Sequence, residues 1–460
     1  MIGVIGILVS LILLMILAYH NHCVIVIAPI CALLAVAIDG ELPLMATYTQ
    51  IFLDSLGKFI IRYFPLFLLG AIFGKLMEET GSAATIAKWV VLQVGSSRAI
   101  LALVMTCSIL TYGGVSLFVV VFTVFPFAVE LFRQADLPPR LIPGSITLGS
   151  FTYTMTALPG SVQIQNLIPM PFFKTTSFAA PVMGCLAAVV MFGLGMTWLS
   201  FRGRQAKRWG EGFAAGSHPD TIAIKPQATS IVNPSLLMAL SPLVCLFLLN
   251  ILCSQFVVPN WQADYLAEKR FGATDLKKVQ GIWSTILAML GAILFLMALN
   301  WKRRSEISEI LTKGAHCALL PVFNAASEFG YGSTIAALGG FELVKKWMFG
   351  IVPSRPLISE AISVNILAGI TGSASGGLSI ALEALGQAYY ERGLAMGVNP
   401  ELMHRVASLS CGGLDSLPHN GAVITLLLIC GRTHKESYWD IAVVSIFVPM
   451  IATTLVIALS

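Results

Sequence analysis

Residues 410–421 read Ser-Cys-Gly-Gly-Leu-Asp-Ser-Leu-Pro-His-Asn-Gly and interrupt the apolar segment Leu402–Cys430. Their glycines and their proline are residues that end or kink a helix. Asp415 and His419 are ionisable, and ionisable residues inside a membrane span are costly and usually functional. The stretch therefore predicts an unwound, polar break in the middle of a membrane helix.

The composition of the chain agrees with a membrane protein. Of its 460 residues, 57% are hydrophobic and 11% are charged, whereas a soluble domain has ~25% charged residues. The net charge of +5 is not gathered into a basic block, so we expect no nucleic-acid partner. Because the apolar stretches approach the ~20 residues of a helical span and lack the alternation of barrel strands, we expect an all-α polytopic membrane fold. Simple spans are predicted at Gly3–Ala18, Cys23–Ile38, Phe59–Met77, Phe178–Ser200, Pro234–Leu252, Gly281–Leu299, Gly314–Gly330 and Ile441–Leu459.

A second break and two half-length hairpins repeat this pattern. The segment Leu141–Met170 is interrupted at Leu158-Pro159-Gly160, and Ala99–Phe132 and Leu357–Tyr390 have the length of two half-spans around glycine- and serine-rich centres. Further matches recur in the same order at an offset of roughly 260 residues. They include Phe64-Pro65 with Leu320-Pro321, Lys88-Trp89 with Lys346-Trp347, and Leu158-Pro159 with Leu417-Pro418.

The basic residues of the loops predict that the two copies are inverted. Lys and Arg favour cytoplasmic loops, which places the clusters 202–208 and 302–304 inside. The first copy then begins with a span that runs inward, and the second with one that runs outward. Inverted repeats with interrupted helices are typical of secondary transporters. We expect N-terminal spans in 1–50, a first repeat in 51–201, cytoplasmic linkers with two connecting spans in 202–312, and a second repeat in 313–460.

The breaks and the hairpin tips are the expected walls of a substrate site. Unwound backbone at membrane depth must be buried in protein or line a water-filled cavity, and the N–H groups at a half-helix N-terminus suit an anion such as a carboxylate. The alternative for the Ser and Thr side chains is that they only bond back to helix carbonyls or join neighbouring helices. The expected substrate-binding residues are Thr111, Tyr112, Gly113, Gly114, Ser116, Thr154, Gly160, Ser161, Thr371, Gly372, Ser373, Ser375, Ser416 and Asn420.

Three ionisable residues are candidates for proton coupling: Asp415, His419 and Glu328. Burial brings a carboxyl and an imidazole into the range where a transported proton can bind and leave. The alternatives are a fixed Asp415–His419 hydrogen bond that orients the loop, and a gating role or a paired structural charge for Glu328. The nine cysteines form no CxxC pair and no cluster with histidine, so we expect no metal site and no cofactor. With no Walker loop or protease motif in the sequence, we expect a gradient-driven protein and not an enzyme.

Three motifs resemble the gluconate permease family of bacterial proton symporters, which belongs to the ion-transporter superfamily. They run from Leu137 to Ser145, from Thr154 to Gly160, and from Gly413 to Gly421. The resemblance implies a homodimer in the bacterial inner membrane, with a scaffold domain and a transport domain of hairpins and broken helices that moves as an elevator. The form Leu-Pro-His-Asn-Gly looks more like the branch near short hydroxy- and keto-acid metabolism than the sugar-acid permeases.

These observations together predict a proton-coupled symporter of a small organic monocarboxylate, either a gluconate-like sugar acid or a short hydroxy or keto acid. The alternative with the same fold is a sodium-coupled carrier of carboxylates or dicarboxylates, in which the unwound carbonyls and Asp415 hold Na⁺. A non-transporting membrane receptor or a membrane enzyme is the alternative from another class. The substrate anion, protons or Na⁺, the lipid bilayer and a second copy of the chain are the expected partners.

Overall fold

The computed structural model describes residues 2–19, 22–95, 98–115, 117–214, 234–350, 352, 355–418 and 420–460. Within these ranges the chain is α-helical and contains no β-strand. Helical segments at 44–79, 181–208, 236–257, 276–299 and 434–458 are long and apolar enough to cross a membrane by themselves. The expected all-α polytopic membrane fold is therefore confirmed.

In chain order the α-helices are α1 Ile2–Tyr19, α2 Val24–Asp39, α3 Leu44–Thr47, α4 Leu53–Glu79, α5 Ser82–Val94, α6 Ala99–Tyr112, α7 Leu117–Gln134, α8 Leu141–Ser150, α9 Tyr153–Thr156, α10 Ile164–Leu167, α11 Met170–Phe173, α12 Pro181–Arg208, α13 Leu236–Leu252, α14 Leu276–Leu299, α15 Arg304–Ala336, α16 Phe341–Gly350, α17 Pro356–Thr371, α18 Ala374–Ala395, α19 Pro400–Cys411, α20 Gly421–Ile429, α21 His434–Ala442 and α22 Val448–Ala458. Three π-helical turns at Tyr48–Phe52, Cys253–Val257 and Val443–Phe447 join or extend α-helices, and 3₁₀ turns lie at Asp264–Ala267, Lys269–Phe271 and Trp301–Arg303.

Helices α4 and α15 form a tightly packed antiparallel pair. A Cβ atom added to Gly314, early in α15, would lie 2.8 Å from the Cα atom of Ile72, late in α4. A Cβ atom on Gly330, late in α15, would lie 2.8 Å from the carbonyl oxygen of Phe52, just before α4. Only glycine lets the two backbones approach this closely. Since α4 lies at the start of the predicted first repeat and α15 at the start of the second, the two predicted repeats begin with helices of opposite direction.

The two broken helices also start from opposite ends of the molecule, with α12 as the reference. At the end of α12, Arg202 donates to the Asp440 carboxylate over 2.8 Å, and Arg140, just before α8, donates to the same carboxylate over 3.3 Å. At the start of α12, the Ala180 amide donates to the Glu401 carboxylate in the first turn of α19 over 3.0 Å. Helices α8 and α19 therefore enter the molecule from opposite ends, as inverted repeats require.

Hairpin 1 consists of α6 and α7, and hairpin 2 of α17 and α18. Both stand at the predicted places, and the chain turns around after 14 residues in α6 and 16 residues in α17, which is less than a full span. Helix α18, with 22 residues, is longer than the predicted half-span. The π-helical turns were not predicted, and α15 is longer than the expected span because it continues through a charged segment before Gly314. Two boundaries of the predicted four-part division, residues 201 and 313, fall inside α12 and α15 and not at helix ends. The division itself stays a prediction.

Candidate functional site

A cavity of about 700 Å³ lies where the two hairpin tips and the two helix breaks meet. It reaches the exposed residues His22 and Cys23 between α1 and α2. Its other walls are Gly114 and Leu117 of hairpin 1, 371–375 of hairpin 2, Phe151, Met155, Thr156, 162–165 and Leu167 around the first break, Asp415 and 420–422 around the second, Leu66, Phe67, Gly70 and Ala71 of α4, Met289 of α14, and Cys317, Ala318, Leu320, Pro321, Asn324, Ala325 and Glu328 of α15. The cavity thus joins elements from both halves of the chain.

The first break follows from Leu158-Pro159-Gly160, as predicted. After α8 the chain makes one helical turn, α9, and is then unwound from Ala157 to Gln163. Gly160 has a φ of +78°, a conformation that residues with a side chain rarely adopt. Its N–H donates to the Ser177 carbonyl over 2.8 Å, and a Cβ atom there would lie 2.5 Å from Phe178. Gly160 therefore holds the turn against the loop that precedes α12.

Most hydroxyls of the first break bond to neighbouring atoms of their own segment. Thr154 donates to the Gly149 carbonyl and Ser161 to the Thr154 carbonyl, each over 2.8 Å. Thr111 of hairpin 1 donates to the Ser150 hydroxyl over 2.9 Å. The amides after the break are different, because Gln165 lines the cavity, is 7% exposed, and leaves its Oε1 atom without a hydrogen-bond partner among the described residues.

The tip of hairpin 1 docks onto this break. Gly114 lines the cavity with a φ of +85°, and a Cβ atom there would lie 2.9 Å from Val162. The Tyr112 hydroxyl donates to the Pro159 carbonyl over 2.8 Å. Gln163 donates its side-chain amide to the Thr111 carbonyl over 2.7 Å. Hairpin 1 and the first break therefore form one connected wall.

The second break is held by Asn420. Helix α19 ends at Cys411 and α20 begins at Gly421, where the Asn420 side chain caps the new helix by accepting from the Val423 amide over 2.8 Å. The same side chain donates to the carbonyls of Asp415 and Gly372, each over 2.9 Å. Because Gly372 is at the tip of hairpin 2, Asn420 links the break to that hairpin. Asp415, which lines the cavity, is 6% exposed.

The Asp415 carboxylate is hydrogen-bonded within its own loop. The Ser416 hydroxyl donates to Asp415 Oδ1 over 3.0 Å. From α21, Tyr438 donates to the Ser416 carbonyl over 3.0 Å and His434 contacts the Pro418 carbonyl over 2.9 Å. These two contacts fix the unwound backbone to α21.

Hairpin 2 presents the N-terminal end of α18 to the cavity. Ser373 caps this helix by accepting from the Gly376 amide over 3.0 Å. A Cβ atom on Gly377 would collide with the backbone of Ala368, so the two arms of the hairpin are in backbone contact. Glu328 of α15 is 4% exposed and reaches across to this end of α18. Its carboxylate lies against Gly376, where a Cβ atom would collide with both oxygens, and within hydrogen-bonding reach of the Ser373 side chain.

A buried arginine behind the first break was not predicted. Arg405 of α19 is fully buried and donates to the carbonyls of Ala179 and Thr156 and to Asn166 Oδ1. No carboxylate among the described residues forms an ion pair with it. Its neighbour His404 contacts Thr175 over 2.6 Å and Asn166 Oδ1 over 3.3 Å. Arg405 therefore places a fixed positive charge one peptide group behind the cavity wall and ties α19 to the first break.

The predicted site residues fall into three groups. Those on the cavity wall are Gly114, Thr371, Gly372, Ser373, Ser375, Asp415, Asn420 and Glu328. Those that lie behind the wall, bonded or packed to other parts of the protein, are Thr111, Tyr112, Gly113, Thr154, Gly160, Ser161 and Ser416. Ser116 and His419 lie outside the described residues. Within the described ranges, no group of three or more His, Cys, Asp or Glu side chains is arranged to hold a metal ion.

Comparison with known proteins identifies relatives in sequence and solved structures of similar fold. The chain is 43% identical over 453 residues to the uncharacterized transporter YxjC of Bacillus subtilis, a match that covers 96% of this chain and 95% of that protein. An uncharacterized transporter of Haemophilus influenzae is 29% identical over 184 residues, which is 40% of each chain. The YdaH transporter of Alcanivorax borkumensis, whose crystal structure shows an unusual topology, superposes with a TM-score of 0.50 and 14% identity over 90% of this chain and 87% of that one. No family model matches the sequence.

Proposed function

Since this chain belongs to the family of bacterial transporters that contains YxjC, it is a multi-pass membrane transporter, and we propose that it carries a small organic monocarboxylate together with protons. The observation that carries this proposal is the cavity between the two helix breaks, whose buried titratable groups include the carboxyls of Asp415 and Glu328. The sequence resemblance to the gluconate permeases points the same way. Sugar acids and short hydroxy or keto acids are the substrate class.

Two features favour an anionic substrate. The N-terminal ends of α18 and α20, capped by Ser373 and Asn420, both face the cavity, and a helix N-terminus attracts negative charge. Behind the wall, the Arg405 guanidinium donates to the carbonyl of Thr156, a residue that lines the cavity. A carboxylate bound at the hairpin 2 tip would thus face N–H groups of α18. The buried positive charge of Arg405 would lie behind the cavity wall formed by the first break.

The two acids favour coupling to protons. A substrate anion that enters beside ionised Glu328 and Asp415 is repelled, and at an effective dielectric constant of 20 two like unit charges 4 Å apart repel by ~4 kcal/mol. Protonation of one acid removes its share of this repulsion, so anion and proton bind together more readily than either alone. Mutual facilitation of this kind is the thermodynamic basis of symport.

The hydrogen bonds between elements favour movement of the breaks and hairpins as a group. Arg405 joins α19 to the first break, Tyr112 joins hairpin 1 to it, and Asn420 joins hairpin 2 to the second break. We assign these elements to the moving transport domain, which carries the substrate past a fixed scaffold. An elevator movement of this kind, in a homodimer of the bacterial inner membrane, is part of the proposal.

Uptake into proteoliposomes tests the function. Purified protein is reconstituted and offered labelled gluconate, lactate, pyruvate or 3-hydroxybutyrate under an inward proton gradient, an inward sodium gradient, or neither. We expect the proton gradient to drive accumulation of at least one acid, and the sodium gradient to have no effect. Accumulation that follows sodium alone would contradict proton coupling, and an absence of both uptake and counterflow for all four acids would contradict the substrate class.

A matched pair of variants then tests the acid at the second break. Asp415→Asn is expected to abolish accumulation and to retain counterflow exchange, because the amide keeps the shape of the break and removes one of the two negative charges that favour proton uptake in the cavity. Asp54→Asn, at an exposed carboxylate that pairs with Lys58 on α4, is the control and should accumulate substrate like the unmodified protein. Normal accumulation by Asp415→Asn would remove this residue from the coupling mechanism.

A further inference from the structure

We propose that Glu328 is an internal competitor of the substrate, whose carboxylate occupies the seat at the N-terminal end of α18 that the substrate carboxylate takes during transport. This inference rests on the proposed function and deepens it by locating one end of the substrate. It also gives a physical reason for coupling, because protonation of Glu328 empties the seat.

The Glu328 carboxylate lies at the N-terminal end of α18. The residue belongs to α15, yet its carboxylate lies against Gly376 in the first turn of α18, beside the Ser373 cap. At the start of α18 the Gly376 N–H bonds to the Ser373 hydroxyl and the Gly377 N–H to the Ser373 carbonyl. The N–H groups of Ala374 and Ser375 before them have no acceptor carbonyl within the same helix. A carboxylate is the group that this end of a helix binds best. The protein's own side chain therefore shows which chemistry the seat accepts.

Two side-chain oxygen atoms in the same cavity lack a hydrogen-bond donor among the described residues. Gln165 Oε1 and Asn324 Oδ1 are buried and have no hydrogen-bond partner among the described residues, and both side chains line the cavity. Such acceptors need a donor. Asn324 precedes Glu328 by four residues on α15, so the two side chains are neighbours on one helix face. A protonated Glu328 is a donor that can turn back to Asn324, and the hydroxyl of a hydroxy acid is a donor suited to Gln165.

The charged surroundings leave Glu328 as the group that answers to protons at this seat. Across the cavity the titratable residues are Asp415 on the second break, and His22, Cys23 and Cys317. On α18 the nearest acid is Glu383, which accepts from Ser333 over 3.3 Å and faces Arg62 and Lys58 of α4. On α2, Asp39 lies against Gly3 of α1. Of all these, only Glu328 touches the end of α18.

The sequence of events follows from these contacts. With Glu328 ionised, its carboxylate fills the seat and excludes the substrate. When Glu328 takes up a proton, the attraction to the helix end weakens, the carboxyl turns toward Asn324, and the substrate carboxylate enters. The two carboxylates exchange one position, so the proton on Glu328 and the substrate are present together or absent together.

Binding measurements on Glu328→Gln test this competition. The four acids named above are titrated into detergent-solubilised protein by calorimetry at pH 6 and pH 8. The unmodified protein is expected to bind the transported acid more tightly at pH 6. The glutamine variant mimics the protonated residue, so it should bind about tenfold more tightly than the unmodified protein at pH 8, with a smaller difference between the two pH values. Glu383→Gln, an acid at the same α15–α18 interface that does not line the cavity, is the matched control and should leave both affinities unchanged.

A second variant tests the protonated state of Glu328. Asn324→Leu removes the acceptor of the protonated carboxyl, so affinity at pH 6 should fall at least threefold while affinity at pH 8 stays the same. Unchanged affinities in both Glu328→Gln and Asn324→Leu, in a protein that accumulates the acid with protons, would overturn the competition and leave the proposed function standing. Binding by the unmodified protein without proton-driven uptake would overturn the function alone. No binding of any of the four acids at pH 6 would overturn both.

Discussion

Replacement of Arg405 by methionine tests whether the buried guanidinium holds the first helix break in place. Methionine is apolar and close in length, so the change removes the charge and the donors with little change in packing volume. The guanidinium makes four hydrogen bonds: two to the Ala179 carbonyl over 2.8 and 3.2 Å, and one each, over 3.0 Å, to the Thr156 carbonyl and to Asn166 Oδ1. All three acceptors lie between the end of α9 and the start of α12.

The expected loss of stability depends on the hydrogen bonds that each acceptor retains in Arg405→Met. The Thr156 carbonyl still accepts from Ser408 over 2.9 Å, and Asn166 Oδ1 still contacts His404 over 3.3 Å. Losing one of two partners costs each of them ~0.5–1.5 kcal/mol, whereas the Ala179 carbonyl loses both of its side-chain donors and costs ~1–3 kcal/mol. We therefore expect a loss of about 2–6 kcal/mol in the free energy of unfolding.

The assay is denaturation with sodium dodecyl sulfate in mixed micelles, followed by circular dichroism and compared across three proteins. Arg405→Lys keeps the charge but not the fork of donors, so it should lose less than Arg405→Met. Arg208→Met, at an exposed residue in the last turn of α12, is the control and should unfold like the unmodified protein. If Arg405→Met unfolds within about 0.5 kcal/mol of the unmodified protein, the guanidinium does not hold the break, and the argument from its contacts is refuted.

Three further changes test other parts of the site. Gly377→Ala should lower the free energy of unfolding by ~1–3 kcal/mol, because a Cβ atom would collide with the opposite arm of hairpin 2. The control is Gly193→Ala, where nothing lies within 4 Å, and it should raise the free energy of unfolding by up to ~1 kcal/mol. Equal effects of the two changes in the same denaturation would contradict the close approach of the two arms. Asn420→Ala should cost ~0.5–2 kcal/mol through the lost cap of α20 and weaken substrate binding, and an unchanged affinity would show that hairpin 2 does not need this link. The Arg140 guanidinium holds the pKa of the Glu211 carboxyl below its usual 4.5, so this ion pair stabilises the folded protein above pH 4.5 and stops doing so as the pH falls through the lowered pKa. The difference in unfolding free energy between the unmodified protein and Glu211→Gln should therefore shrink between pH 6 and pH 3. A constant difference would contradict the pairing.

The breaks and the hairpins could be predicted because their cause is local. Pro159 and Gly160 cannot continue a helix in their positions, and the glycines before Asp415 have the same effect in the second half. A polar or flexible group in the middle of an apolar run is visible without knowledge of its neighbours. The same is true of Glu328 and Asp415, which the sequence marks as ionisable residues within spans and which the structure places on the cavity wall.

The hydroxyls of the first break could not be assigned from the sequence. Thr154 and Ser161 stand beside the predicted break, and their composition alone fits either substrate contact or bonds to nearby carbonyls. The choice depends on the path of the unwound backbone, which brings the Gly149 and Thr154 carbonyls within 2.8 Å of the two hydroxyls. That path is set by contacts with Phe178 and Ser177, which follow the break in sequence, and no periodicity reports them.

Arg405 was missed although a signal for it was present. The rule that an ionisable residue within a span is functional singled out Asp415 in the segment Leu402–Cys430, and it applies equally to His404 and Arg405 in the same segment. Both residues lie close to the start of that segment and far from its central interruption. The structure shows both fully buried, because the start of α19 is covered by the loop that leads into α12.

The charges around the cavity predict one proton for each monocarboxylate and no net movement of charge within the site. Arg405 stays positive, while Glu328 and Asp415 each carry a negative charge when ionised; with His404 counted as neutral beside Arg405, the empty site holds one net negative charge. Addition of a monoanion and one proton restores this value, so the empty and the loaded site meet the same electrostatic cost on the way across the membrane. Uptake should therefore be insensitive to a potassium diffusion potential set with valinomycin in proteoliposomes. A rate that rises or falls with that potential would require a different number of protons, or a charge in the site that this count leaves out.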